Sequence, residues 1–112
     1  MAIDRLKTSL WVQAQVRLCD IRAIPIAIMK RGDPDAGTIV LKVARPDRTC
    51  EVFNQVRDMD GEMKWMRASG PQPVPESEAD PVIERQRKRD PDLWVIEIDD
   101  PQGRYELDAP II

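Results

Sequence analysis

Carboxylates are the groups in this chain whose spacing could do chemistry. The tripeptide Asp-Pro-Asp occurs twice, at Asp33–Asp35 and at Asp90–Asp92. Brought side by side, Asp33, Asp35, Asp90 and Asp92 would form a paired acidic site for a hard cation such as Mg²⁺, which binds through one or two carboxylates plus water. The competing reading is turn formation: Asp before Pro initiates a turn, Pro fixes φ, and the second Asp can accept a backbone N–H. Both copies stand where one element ends and a strand is due, which favours turns. The metal reading requires the two loops to meet in space.

A nuclease pattern, Pro-Asp followed by Glu-x-Lys, is satisfied in letters by Pro46-Asp47 and Glu62-Met63-Lys64. Asp47 and Glu62 each open a strand of one expected hairpin, at its opposite ends. About ten residues of strand, at 3.3 Å each, place them roughly 30 Å apart, too far to share a metal. The chain has no histidine, which removes the side chain most often used for acid–base work near neutral pH. Cys19 and Cys50 are too few to fill a structural zinc shell of about four ligands, and they read as small buried hydrophobes. A basic cluster, Arg85, Arg87, Lys88 and Arg89, could contact phosphate or nucleic acid, or could simply complement the negative end of a helix. Trp11, Trp65 and Trp94 each sit in an apolar run and read as core. None of this calls for a cofactor.

These groups must be positioned by a scaffold of 112 residues, enough for one core, so the expectation is a single domain over residues 1–112. A composition 42% hydrophobic and 33% charged is that of a folded chain. Formal charge is −3, so no global field draws in nucleic acid or an anionic membrane. No apolar run approaches the length of about 20 residues needed to span a bilayer, and the opening residues lack a secretory pattern. A cytoplasmic location is expected.

Residues 1–9 read as a polar lead-in. Leu10–Leu18 carries both periods: strand alternation through Val12 and Val16, and a helical stripe of Leu10, Trp11, Ala14, Leu18 and Ile21 with Ser9 as cap. The β-branched residues tip it to strand. Ile24–Lys30 and Thr38–Arg45 are strands that the Gly32–Gly37 segment should join as a hairpin. Cys50–Val56 and Met63–Arg67 extend the meander. After a proline-rich connector comes a helix near residues 80–89, with Asp80 as cap, Pro81 at its first position and Asp90 ending it. Leu93–Asp99 is a strand, and Arg104–Leu107 a short returning one. The expected fold is α+β: a mostly antiparallel sheet of five to six short strands with one covering helix.

Three blocks, SLWVQAQVR (9–17), KRGDPDAGTIVLKV (30–43) and RDPDLWVIEIDD (89–100), resemble the signature blocks of a short proteobacterial domain-of-unknown-function family. The resemblance spans most of the chain. It implies a small single-domain cytoplasmic protein and carries over no catalytic residue. The leading functional expectation is a non-enzymatic protein-interaction or accessory module, monomeric or homodimeric, with an unidentified protein partner and no membrane contact. The alternatives are a nucleic-acid-associated protein using the basic helix, and a carboxylate-metal-dependent hydrolase or nuclease.

Overall fold

The segment with two competing periods is a helix, α1, Thr8–Ile21. In this computed structural model, which describes residues 7–112, α1 buries Thr8, Trp11, Val12, Gln15 and Cys19. Their spacing of three and four residues is one helical face. Alternation would instead have buried Leu10 and Leu18, which are 47% and 51% exposed. The helical stripe read from the sequence fails there too, since of its five residues only Trp11 is buried. The strand expectation fails because two polar residues, Thr8 and Gln15, belong to the inward stripe. Gln15 accepts a bond from the Tyr105 hydroxyl at 3.2 Å, and Thr8 Oγ1 donates to Gly37 O at 2.8 Å, so neither is buried unpaired. Ser9 is not the cap: the helix starts after Lys7, without a side-chain cap. Residues 1–6 of the lead-in lie outside the described residues.

Five main strands follow: β1 Ile26–Lys30, β2 Ile39–Ala44, β3 Thr49–Arg57, β4 Met63–Arg67 and, after a two-residue β5 (Val74–Pro75) and helix α2 (Glu76–Arg89), β6 Trp94–Asp99. The sheet runs β1-β6-β2-β3-β4, with β5 beside β3. It is α+β and mostly antiparallel, as expected; the exception is β2–β6, which is parallel. The expected β1–β2 hairpin does not form. β6 enters between the two strands, pairing antiparallel with β1 and parallel with β2. The short returning strand at 104–107 is absent; that stretch has no regular structure.

Among the described residues two helices, not one, cover the sheet, one on each face. Trp11, Val12 and Cys19 of α1 pack on Ile39, Leu41, Val43, Ile96 and Ile98. Ala79 and Ile83 of α2 pack on Val40, Cys50, Val52 and Val95. Central strands covered on both faces lose polar alternation, and β2 is buried over five consecutive residues. Cys19 and Cys50, free and buried, therefore lie in opposite layers. Helix α2 begins at Glu76 rather than near 80. Pro81 is inside it, where its ring leaves the Ser77 carbonyl without a helical donor. Asp80 is not a cap but an ion-pair partner of Lys42.

Candidate functional site

The two Asp-Pro-Asp loops do meet. Asp33 N donates to Asp92 O at 3.0 Å, and Trp94 Nε1 donates to Asp33 O at 2.7 Å. Gly32 and Gly37 make this approach possible. A Cβ on Gly32 would overlap the Asp92 carbonyl, and one on Gly37 would lie 2.5 Å from Asp92 O. The carboxylates themselves are engaged in turns or at the surface. Asp33 Oδ2 accepts from Ala36 N at 2.8 Å, Asp90 Oδ1 accepts from Asp92 N at 3.0 Å, and Asp35 lies 3.8 Å from the Lys7 ammonium. Among the described residues no group of three or more His, Cys, Asp or Glu side chains could hold a metal ion. The first loop has further work: its carbonyls at Asp35 and Pro34 accept from the N–H groups of Thr8 and Ser9, supplying acceptors to the exposed start of α1.

The nuclease pattern is also pulled apart. Asp47 precedes β3 and accepts from Thr49 N and Oγ1, bonds that hold its carboxyl below the usual range. Glu62 precedes β4, whose Met63 pairs with Arg57 at the far end of β3.

Arg85, Arg87, Lys88 and Arg89 are exposed on the last turns of α2. The first turn carries Glu76 and Glu78, so both helix ends bear the sign that the macrodipole favours. Arg87 pairs with Glu84 at 3.2 Å. The core layer beneath α2 contains no aromatic residue on which a base could stack.

Lys42, in β2, escaped the sequence reading because a single charge in an apolar run reads as solvent-facing. Its side chain is only 6% exposed, and its ammonium lies 2.8 Å from Glu76, 2.8 Å from Asp80 and 3.6 Å from Glu97. Burial alone would lower its pKa, but hydrogen bonds to Asp80 and Glu76 and the charge of Glu97 outweigh it and hold the group above the ordinary lysine value. The cluster ties α2 to the sheet.

A surface shaped to receive another molecule lies elsewhere, between α1 and β1. A groove of about 610 Å³ is walled by Val12, Val16, Ile24, Ile26, Ile28 and Trp94, with Arg17, Asp20 and Arg31 at its rim. Arg31 lies over the Trp94 ring, 5.9 Å from its centroid, a cation–π arrangement. β1 is the edge strand here. Asp99 N donates to Pro25 O, and Ile26 is opposite Ile98; in an antiparallel ladder this turns the N–H and C=O of Ile26 and Ile28 outward, away from β6. An edge lysine normally guards such a strand against pairing. Lys30 does not: its ammonium reaches back to Pro91 O at 2.7 Å and Leu93 O at 2.9 Å.

The opposite edge, β4, is covered by the chain itself. Trp65 N donates to Pro110 O and Ile112 N to Trp65 O, each at 2.8 Å. The Asp108 carboxylate accepts from two indoles, Trp11 Nε1 at 2.8 Å and Trp65 Nε1 at 2.9 Å. All three tryptophans are core, as expected, and each indole N–H has an acceptor.

Comparison with known proteins agrees with this architecture. The model of a family described as "Protein of unknown function (DUF1491)" matches residues 6–108. A crystal structure of a DUF1491 family protein from Caulobacter crescentus superposes with a TM-score of 0.84 at 33% identity, covering 96% of this chain and 100% of that one. An NMR structure of a DUF1491 family protein from the same organism gives a TM-score of 0.81 at 33% identity, covering 96% of each chain. A solution structure of a protein from A. tumefaciens gives 0.73 at 25% identity, covering 93% of this chain and 90% of that one. No curated protein matches. No helix among the described residues is long and apolar enough to cross a membrane.

Proposed function

The chain belongs to the DUF1491 family, and on that footing we propose that it is a cytoplasmic, non-enzymatic interaction module. It binds an extended segment of a partner protein, which adds a strand to the outer edge of β1 and lowers alternate apolar side chains into the α1–β1 groove. The observation that carries this reading is the turning-in of Lys30. The strand's one charged residue is spent on the carbonyls of Pro91 and Leu93, which leaves the outward main chain of Ile26 and Ile28 beside an apolar groove. Arg17 and Arg31 at the rim suit an acidic residue flanking the bound segment. Leu10, Leu18 and Ile21 add exposed apolar area on α1. The basic turns of α2 lie on the other face of the sheet and offer charge without a stacking platform.

The test is a crosslinked capture from the native cytoplasm with wild type and two variants. Ile28→Pro removes an outward N–H and no β1–β6 bond. A variant with Arg85, Arg87, Lys88 and Arg89 all replaced by Ala strips the basic helix. A partner captured by wild type and by the helix variant, and lost with Ile28→Pro, supports the edge. A partner retained by Ile28→Pro overturns it. If binding is to nucleic acid, weakens steeply with salt and is lost in the helix variant, the basic cluster is the site instead.

A further inference from the structure

The covered edge specifies a ligand. Two indoles, their centroids 5.7 Å apart and their planes 54° from parallel, point both N–H groups at one carboxylate, Asp108. Next to it, Trp65 of β4 offers a main-chain donor and acceptor that Pro110 and Ile112 occupy in a single parallel bridge. These four bonds form one continuous reading surface: a carboxylate first, a carbonyl two residues on, and an N–H two residues after that.

The occupant is lightly held by apolar contact. Tyr105 is buried and anchors the crossing of the sheet, and Leu107 and Ala109 are half-buried against the same core. Beyond Ala109 burial falls away: Ile111 is 39% exposed and Ile112 63%. Asp108 and Pro110 are exposed as well. From Pro110 onward the stretch is held by directional polar bonds at its rim. Such a segment opens locally at small cost compared with unfolding the sheet. Opening it leaves two indole N–H groups and the main chain of Trp65 unpaired, a state that favours recapture of a peptide with the same groups.

We infer that the β4 edge and the Trp11–Trp65 indole pair are a recognition site for an extended acidic peptide of a partner protein, with residues 108–112 as its intramolecular stand-in. The peptide carries Asp or Glu at the indoles and extended backbone along Trp65. Proline is suited to the second position after the acid, since only its carbonyl is used there. This site is independent of the β1 edge: the two lie at opposite ends of the strand order.

The test uses the three indole N–H resonances of the folded protein. Trp94 bonds to Asp33 O, away from the site, and serves as the internal reference. In Asp108→Ala the Trp11 and Trp65 resonances shift while that of Trp94 stays. A synthetic peptide with the sequence of residues 107–112 then returns both resonances towards their wild-type positions. The same peptide with Ala for Asp binds at least about tenfold more weakly, since bonds to an ionised acceptor are lost. Should Asp108→Ala fail to fold, Asp108→Asn, which keeps the side chain's shape but leaves the two indoles a single acceptor oxygen, is titrated in its place. The inference is overturned if the two resonances do not respond to the substitution, if millimolar peptide leaves them unmoved, or if both peptides act equally. It is likewise overturned if the variant restores them by dimerising as its concentration rises, which would make a second copy the occupant.

Discussion

Replacing Lys42 by Met tests whether the buried ammonium holds α2 to the sheet. Methionine keeps most of the length and volume of the lysine stem, so the packing between Val40 and Ala44 is nearly conserved. What is lost is charge. Glu76 is 61% and Asp80 53% exposed, so water can resolvate them, and each pair is discounted to about 0.5–1 kcal/mol. The 3.6 Å contact with Glu97 adds less, while three carboxylates left without their cation repel one another. The expected cost of Lys42→Met is about 2 kcal/mol, or roughly 8 °C in thermal midpoint for a chain of this size. Lys42→Ala also loses about three methylenes of packing at about 0.8 kcal/mol each, bringing the expected cost to about 4 kcal/mol.

The pH dependence carries an independent sign. The folded-state pKa of Lys42 is raised, so its contribution is complete below the unfolded lysine value, about 10.4, and is lost as pH rises through the folded value. Wild type should therefore weaken above about pH 10.4 more steeply than Lys42→Met. Urea melts of the three proteins at pH 7 and in the alkaline range measure both effects. A Met variant within about 0.5 kcal/mol of wild type at pH 7 would refute the reasoning, because a buried ion pair can be replaced by hydrophobic volume without loss when desolvation cancels it.

Gly37→Ala should cost about 2–3 kcal/mol by overpacking, since its Cβ would meet Asp92 O at 2.5 Å and both Asp33 O and Trp94 Cδ1 at 2.7 Å. Gly61→Ala, at φ +80° with nothing within 4 Å, should cost only about 1 kcal/mol of backbone strain; equal losses in chemical denaturation would contradict the loop contact. Tyr105→Phe removes the bond to Gln15 and should cost about 1 kcal/mol at pH 7. Burial pushes the Tyr105 phenol well above its ordinary value, so its share of stability is present below about pH 10 and lost above it. The gap between Tyr105→Phe and wild type should close as pH rises, and a gap that widens would rule this out.

Most strands were legible because each carries alternation between recognisable turns; β3 and β4 follow Pro46-Asp47 and Asp58–Gly61 as expected. Helix α1 was misread because its buried stripe includes Thr8 and Gln15, whose polarity is cancelled by partners 29 and 90 residues away. No local pattern reports such partners. The hairpin expectation failed for a related reason. Glycine and Asp-Pro in the 32–37 segment announce a reversal correctly, but turn chemistry does not tell whether another strand will slip between its arms. A sign of that was present in Ile39-Val40-Leu41 and Trp94-Val95-Ile96, continuous apolar runs suited to strands covered on both faces. The Asp-Pro-Asp loops were rightly read as turns, and their contact was the question only the fold could answer. The β1 groove and the indole pair were invisible because their walls come from three or more separated stretches of chain.

The insertion of β6 between β1 and β2 also orders events in time. β2, β3 and β4 form a local meander that can assemble as soon as residue 67 is available, whereas β1 has no neighbour until residues 94–99 arrive. During synthesis the first edge and its apolar underside must wait for the last strand to zip in between, a long-range closure of the kind that slows folding. The contact of Asp33 with Asp92 is thus the latch of that closure, joining the early half of the chain to the late one.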